Sequence, residues 1–310
     1  MSPETPAGEP PLEDLRVVSL ALNLPGPAAA ARLVALGAQV TKVEPPAGDF
    51  LAEAAPAYYA ELAAGQRVVT IDLKTTAGLA ELAGLLDEAD LLLTSSRPAA
   101  LARLGLDWAS VHARWPRLCQ VAIVGHAGAE ADVPGHDLTY QASVGVLLPP
   151  VMPTVLVADL AGAERAVADA LATLLARART GTGHRRDVAL GDAAQEFARP
   201  AQHGLTTPGA LLAGALPRYS LYESVDGYVA VAALEEHFWE ALLRELGIGG
   251  SRAELATVLA TRTSAHWQDW ARTRGLPLAA VVAATDRAHT TDRAHTTDRP
   301  RTTDSERPTD

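Results

Sequence analysis

Short β-branched runs alternate with alanine- and leucine-rich stretches through the first two thirds of this 310-residue chain, and no other feature restricts the fold as strongly. LRVVSL (15–20), VTKVE (40–44), RVVTIDL (67–73), DLLLTSS (90–96), LCQVAIV (118–124) and DVAL (187–190) each read as a strand. GPAAAARLVALG reads as a helix, with Pro27 near its first turn and Gly37 at its end. TTAGLAELAGLLDEA places Leu79, Leu82, Leu85 and Leu86 at helical spacing. The expectation is an α/β fold: a Rossmann-like large domain with a mostly parallel sheet, followed by a small α+β domain. Ligands on such sheets sit beyond the carboxyl ends of the strands.

Residues 160–179 form one long amphipathic pattern, with Leu160, Ala163, Val167, Leu171, Leu174 and Leu175 on a single stripe. A glycine-rich turn, TGTGHRR, ends it. Glycine and proline near 204–217 mark a boundary, which divides the chain into a flexible N-terminus (1–13), a large domain (14–205) and a small domain (206–283) carrying YVAVAAL and a few short helices. From 284 to 310 a degenerate six-residue repeat lacks apolar periodicity and is expected to be disordered. His289 and His295 lie in that repeat and are not read as metal ligands, so no metal site is expected.

A formal net charge of −11 argues against nonspecific nucleic-acid binding, which needs a basic surface. Cys119 is the only cysteine, which excludes an intramolecular disulfide and a thiolate metal cluster. The acidic, proline-rich start lacks the basic and apolar segments of a secretion signal, and Asn23, two prolines and Arg32 interrupt the longest apolar stretch. These features lead us to expect a cytoplasmic protein without membrane contact.

Two polar positions invite a chemical reading. Asp159 stands just before the long helix, where a carboxylate is a natural N-cap and also a candidate nucleophile or general base. His136, in PGHDLTY, is an ordinary loop histidine or an acid/base group, and Asp137 reads as the cap of a helix that Leu138 begins. Lys74, Arg97 and Arg103 follow successive strands. They are either solvated surface charges or a rim that holds the phosphates of a nucleotide. No Walker or GxGxxG motif occurs here, and GTGHRR reads as a turn.

The order of LRVVSLALNLPGPAAAARLVALGAQVTKVEPPAGD, GQRVVTIDLK, EADLLLTSSRPAALARLGLDW, PRLCQVAIVGHAG, PGHDLTY and GTGHRRDVALGDAA resembles the class III CoA-transferase family over residues 14–282. GHD followed by tyrosine, with ADLAG downstream, is similar to the alpha-methylacyl-CoA racemases of that family. The resemblance implies that His136 and Asp159 are a pair of acid/base residues and that Glu235 assists from the small domain. It further implies CoA contacts at Ile71, Asp72, Leu73, Lys74, Ser95, Ser96, Arg97, Arg103, Gly135, Asp137 and Tyr140. CoA enters as part of an acyl-CoA substrate, with no prosthetic group, and the partner is a second copy in an interlocked homodimer.

The implied reaction is exchange of the α-proton of a 2-methylacyl-CoA. Removing a proton from one face of the carbon and returning one to the other needs two groups in opposite protonation states, and the start of the helix after Asp159 is expected to supply N–H donors to the enolate oxygen. The alternative is CoA transfer, with Asp159 attacking the thioester to form a mixed anhydride. A CoA-binding or inactive homologue is the third reading. In sequence, Pro45 and Pro46 stand where racemases carry an arginine, and the hexad repeat stands where family chains return to the large domain.

Overall fold

A computed structural model describes residues 10–283. The expectations for 1–9 and for the repeat at 284–310 lie outside the described residues. The chain forms two compact units that divide between Arg199 and Pro200, six residues before the boundary expected from composition.

The first unit carries β1 (Arg16–Ser19), α1 (Pro25–Ala35), β2 (Gln39–Glu44), α2 (Phe50–Ala54), α3 (Pro56–Ala63), β3 (Arg67–Thr70), α4 (Thr76–Leu86), β4 (Leu91–Thr94), α5 (Pro98–Arg103) and α6 (Trp108–Arg114). β5 (Cys119–Val124), α7 (Asp137–Ser143), α8 (Val157–Thr180), β6 (Arg185–Ala189) and α9 (Leu190–Gln202) follow, the last running across the division. The six strands lie in the order β3-β2-β1-β4-β5-β6, and every pairing is parallel. A parallel sheet must be covered on both faces, and it is. Val17, Leu91, Leu93, Val121 and Ile123 pack with the α1 and α8 side, whereas Val18, Val43 and Leu92 pack with Leu82 and Leu86 of α4, Leu101 of α5 and Val111 of α6. Strand order reverses between β1 and β4, so the crevice beyond their carboxyl ends is where this topology places a ligand.

The buried stripe of α8 differs from the leucine-based expectation. Ala158, Gly162, Ala163, Ala166, Val167, Ala170 and Thr173 face inward, while Leu160, Leu171 and Leu175 are exposed. The cause is close approach: a Cβ on Gly162 would stand 2.2 Å from Leu190, so small residues form the contact and the leucines lie outside it. Gly181 ends the helix in a left-handed conformation, φ +76°, as the glycine-rich turn predicts.

The second unit contains β7 (Tyr219–Ser224), β8 (Gly227–Ala232), α10 (Glu236–Leu246), α11 (Arg252–Leu259), α12 (Ser264–Arg272) and β9 (Leu278–Ala280), with an antiparallel sheet in the order β7-β8-β9. Sequence reading anticipated β8 and the short helices and missed β7 and β9. Val229, Val231, Leu242, Leu255, Leu259 and Trp267 form its core, and the Trp267 indole donates to the Leu259 carbonyl at 2.8 Å. No helix among the described residues is long and apolar enough to cross a membrane.

Candidate active site

The switch point opens into a cavity of about 440 Å³. The β1–α1 loop supplies Leu22 and Asn23, and the start of α1 supplies Pro25; the β4–α5 junction supplies Ser95, Ser96 and Arg97; the segment after β5 supplies Gly125 and then Gly135, His136 and Tyr140; and α8 supplies Asp159. Two residues 23 positions apart in sequence, His136 and Asp159, therefore line one space. The loop before His136 lies directly on the Tyr140 ring, since a Cβ at Gly135 would meet the ring at 2.6 Å. His136 occupies the N-cap position of α7, where the Thr139 hydroxyl accepts from its N–H at 3.1 Å and donates to its carbonyl at 2.7 Å. Its side chain is exposed along the cavity wall.

Both aspartates depart from their expected capping roles. The N-cap of α8 is Leu156, which has no polar side chain, and Asp159 sits inside the first turn. Asp137 is the first residue of α7 rather than its cap, and its carboxylate caps α8 instead. One oxygen accepts from the N–H groups of Ala158 at 2.7 Å and Asp159 at 3.1 Å; the other accepts from Gln141, whose amide also donates to the Val155 carbonyl at 3.0 Å. Asp137 is buried and lines neither this cavity nor the one beside it.

This arrangement leaves Asp159 half-buried with a second carboxylate behind it. Burial, and then the charge of Asp137, raise its pKa from 3.8 to about 6. Burial and the nearby Asp159 charge likewise raise the Tyr140 phenol. A carboxylate that titrates near neutrality exchanges protons readily in either direction. At the start of α8, Ala158 and Asp159 donate to Asp137, and Leu160 donates to the Leu156 carbonyl.

A second cavity, of about 590 Å³, adjoins the first through shared residues Leu22, Ser96 and Ala100. Ile71, Asp72, Leu73 and Lys74 line it from the turn after β3, and Arg103 lines it from the last turn of α5. Asp72 holds that turn by accepting from the Lys74 N–H at 3.0 Å, and Thr75 caps α4 through the Gly78 N–H. The candidate contacts thus divide, with Ser95, Arg97, Gly135 and Tyr140 on the first cavity, Ile71 to Lys74 and Arg103 on the second, and Ser96 on both. Glu235 belongs to the second unit, at the N-cap of α10.

Sequence reading missed two features of the site. Asn23 has a positive φ, +67°, unique among the non-glycine described residues, and it lines the reactive cavity. Lys42 is buried on β2, where its ammonium meets Glu44 at 2.5 Å and Asp49 at 2.7 Å and lies 4.6 Å from the centre of the Tyr59 ring. Asp49 in turn accepts from the Asn23 N–H at 3.1 Å and the Leu51 N–H at 3.0 Å, which ties this ion cluster to the cavity wall. The available signals were an asparagine just before LPGP and a charge inside an apolar strand.

The model of CoA-transferase family III matches residues 12–309. The chain belongs to this family. Among curated relatives of this family III chain, the succinate–glutarate CoA-transferase of Agrobacterium fabrum is 32% identical, over 79% of the chain and 69% of the relative. Human alpha-methylacyl-CoA racemase is 28% identical, over 83% of the chain and 74% of the relative. Of the solved structures, a CaiB/BaiF family protein from Brucella suis superposes with a TM-score of 0.77 at 26% identity, over 93% of this chain and 89% of that one. The six-stranded parallel sheet is thus a CoA-transferase family III fold, and the family's relatives carry both transferase and racemase names.

Proposed function

We propose that the chain is an acyl-CoA racemase or epimerase that exchanges the α-proton of a 2-methylacyl-CoA thioester, with His136 and Asp159 as the two proton carriers. The observation that carries this reading is the placement of an imidazole and a carboxylate titrating near pH 6 on one cavity at the switch point. As one group takes the α-proton, the other, protonated, returns one to the opposite face, and the roles reverse for the other enantiomer. The adjoining cavity suits the nucleotide half of CoA, with Lys74 and Arg103 toward its phosphates, and the pantetheine arm crosses at Ser96 and Ala100. Glu235 assists from the second unit, and the protein acts as a homodimer. The exposed apolar side chains of Leu160, Leu171 and Leu175 on α8 support the dimer.

The test is deuterium wash-in at the α-carbon of branched acyl-CoAs incubated with the full chain in heavy water. Incorporation is expected, with inversion at the same centre; its absence across a range of acyl groups overturns the reading. The second reading is CoA transfer between an acyl-CoA and a carboxylate through an anhydride on Asp159, and the transferase relatives favour it. His136→Ala separates the two, because it abolishes exchange and leaves transfer largely intact.

A further inference from the structure

Tyr140 comes one helical turn after His136, the N-cap of α7, and lines the reactive cavity with it, yet only 2% of its surface is accessible. Two glycines leave room for it. A Cβ at Gly125 would stand 2.5 Å from the Tyr140 hydroxyl, and one at Gly135 would stand 2.6 Å from the hydroxyl and from the ring edge. Both glycines line the same cavity, so the hydroxyl is fixed on its wall.

A buried phenol ordinarily has a hydrogen-bond partner. This one has none among the described residues; burial and the charge of Asp159 act on it, and no hydrogen bond does. Both influences raise its pKa, which keeps it a neutral donor at neutral pH. The hydroxyl is also not sealed. Among the described residues, the unpaired side-chain atoms closed off from solvent belong to Gln66, Thr94, His112 and Gln120, and Tyr140 is not one of them. The opening left to it is the cavity, and its partner has to come from what fills that space.

We propose that the Tyr140 hydroxyl donates a hydrogen bond to the bound acyl thioester at its reacting end. The proposal rests on the acyl-CoA reading above and replaces the CoA contact that resemblance implies at this position. The reacting end is favoured because Tyr140 lines the first cavity and not the second, and because the turn of α7 sets it beside one proton carrier while the charge of the other, Asp159, reaches its phenol. Other donors act beside it.

Tyr140→Phe keeps the ring and removes the hydroxyl. No protein partner is lost, so thermal melting of the variant should equal or exceed that of the wild type. Calorimetry should show free CoA binding as in the wild type, while kcat/KM for α-proton exchange falls about 10-fold, the scale of one hydrogen bond left unmade. Gly125→Ala should also slow exchange, because its methyl group displaces the hydroxyl. In Tyr140→Phe the nearest remaining atoms lie 3.4 Å from that methyl position, so adding Gly125→Ala there should cost little more. Wild-type exchange in Tyr140→Phe, an equal loss in free-CoA binding, a lowered melting temperature, or independent losses in the double variant overturns the proposal and leaves the acyl-CoA reading standing. If the wild type transfers CoA without exchanging protons, the same pattern is expected in the transfer rate. If the wild type does neither, the acyl-CoA reading fails and the Tyr140 contact fails with it.

Discussion

Lys42 and Asp137 are both almost inaccessible charges, one within β2 of the parallel sheet and the other where α7 meets α8. Around Lys42, a cation stands between two carboxylates, with the Tyr59 hydroxyl donating to Glu44 at 2.7 Å. Around Asp137 no cation among the described residues is in contact; its charge is met by the N–H groups of a helix start and one amide, and a second carboxylate, Asp159, lies next to it. In the first cluster the opposite charges offset one another, and the result is a rigid tie between β2 and the Asn23 loop. In the second the like charges do not, and Asp159 is left with a pKa suited to moving protons.

The comparison breaks most visibly at Lys42. Replacing it with methionine keeps most of the volume but strands Glu44 and Asp49 without their cation, and removing one partner of a buried pair typically costs about 3–5 kcal/mol. Urea unfolding of Lys42→Met at pH 8 should show a loss of that size. An unchanged midpoint at pH 8 would mean that the cluster contributes no net stability.

A smaller effect is expected from Asp159, with the opposite sign. Its folded-state pKa, about 6, lies above its ordinary 3.8, so ionising it opposes folding. The penalty is absent below pH 3.8, grows between 3.8 and about 6, and is complete above that. Asp159→Asn should therefore stabilise the chain at pH 8 by on the order of 2 kcal/mol, allowing for its partial contact with solvent, and should leave stability unchanged at pH 3. Thermal melts at the two pH values check this. Higher stability together with lost activity is the signature of a residue kept for chemistry.

How much of this was legible in the sequence follows from the range of the interactions involved. The first-unit strands and the glycine stop of α8 depend on local pattern, and they fall within a few residues of their expected places. β7 and β9 were missed because YSLYES and LAA show little apolar alternation, and these strands exist mainly through pairing with β8. The inward face of α8 was misjudged because periodicity counts leucines, whereas the contact with Leu190 selects for small side chains. His136 and Asp159 were identified through family resemblance. The capping roles of Asp137 and Asp159 were misassigned because Asp137 and α8 are 20 residues apart in sequence, and one-dimensional capping rules assign a carboxylate only to its own helix.

The finest test of the comparison removes the charge at Asp137 while keeping its shape. In Asp137→Asn the side-chain oxygen still accepts from Ala158 and Asp159, so α8 stays capped; the new amide faces Gln141, which already donates to Val155, so some local cost is expected. The charge behind Asp159 is then gone. Because that charge raises the pKa of Asp159, its removal lowers it; because burial is the larger cause and is untouched, the pKa stays above 3.8. For the enantiomer whose α-proton Asp159 removes as a base, kcat/KM rises with pH as Asp159 ionises, and the acid limb of that profile reports its pKa in the free enzyme. In Asp137→Asn the limb should move to lower pH, and the variant should hold a larger share of its own plateau rate at pH 5 than the wild type does. A limb that stays in place while stability falls would assign Asp137 to capping alone, and the contrast with Lys42 would then be one of architecture without a share in the chemistry.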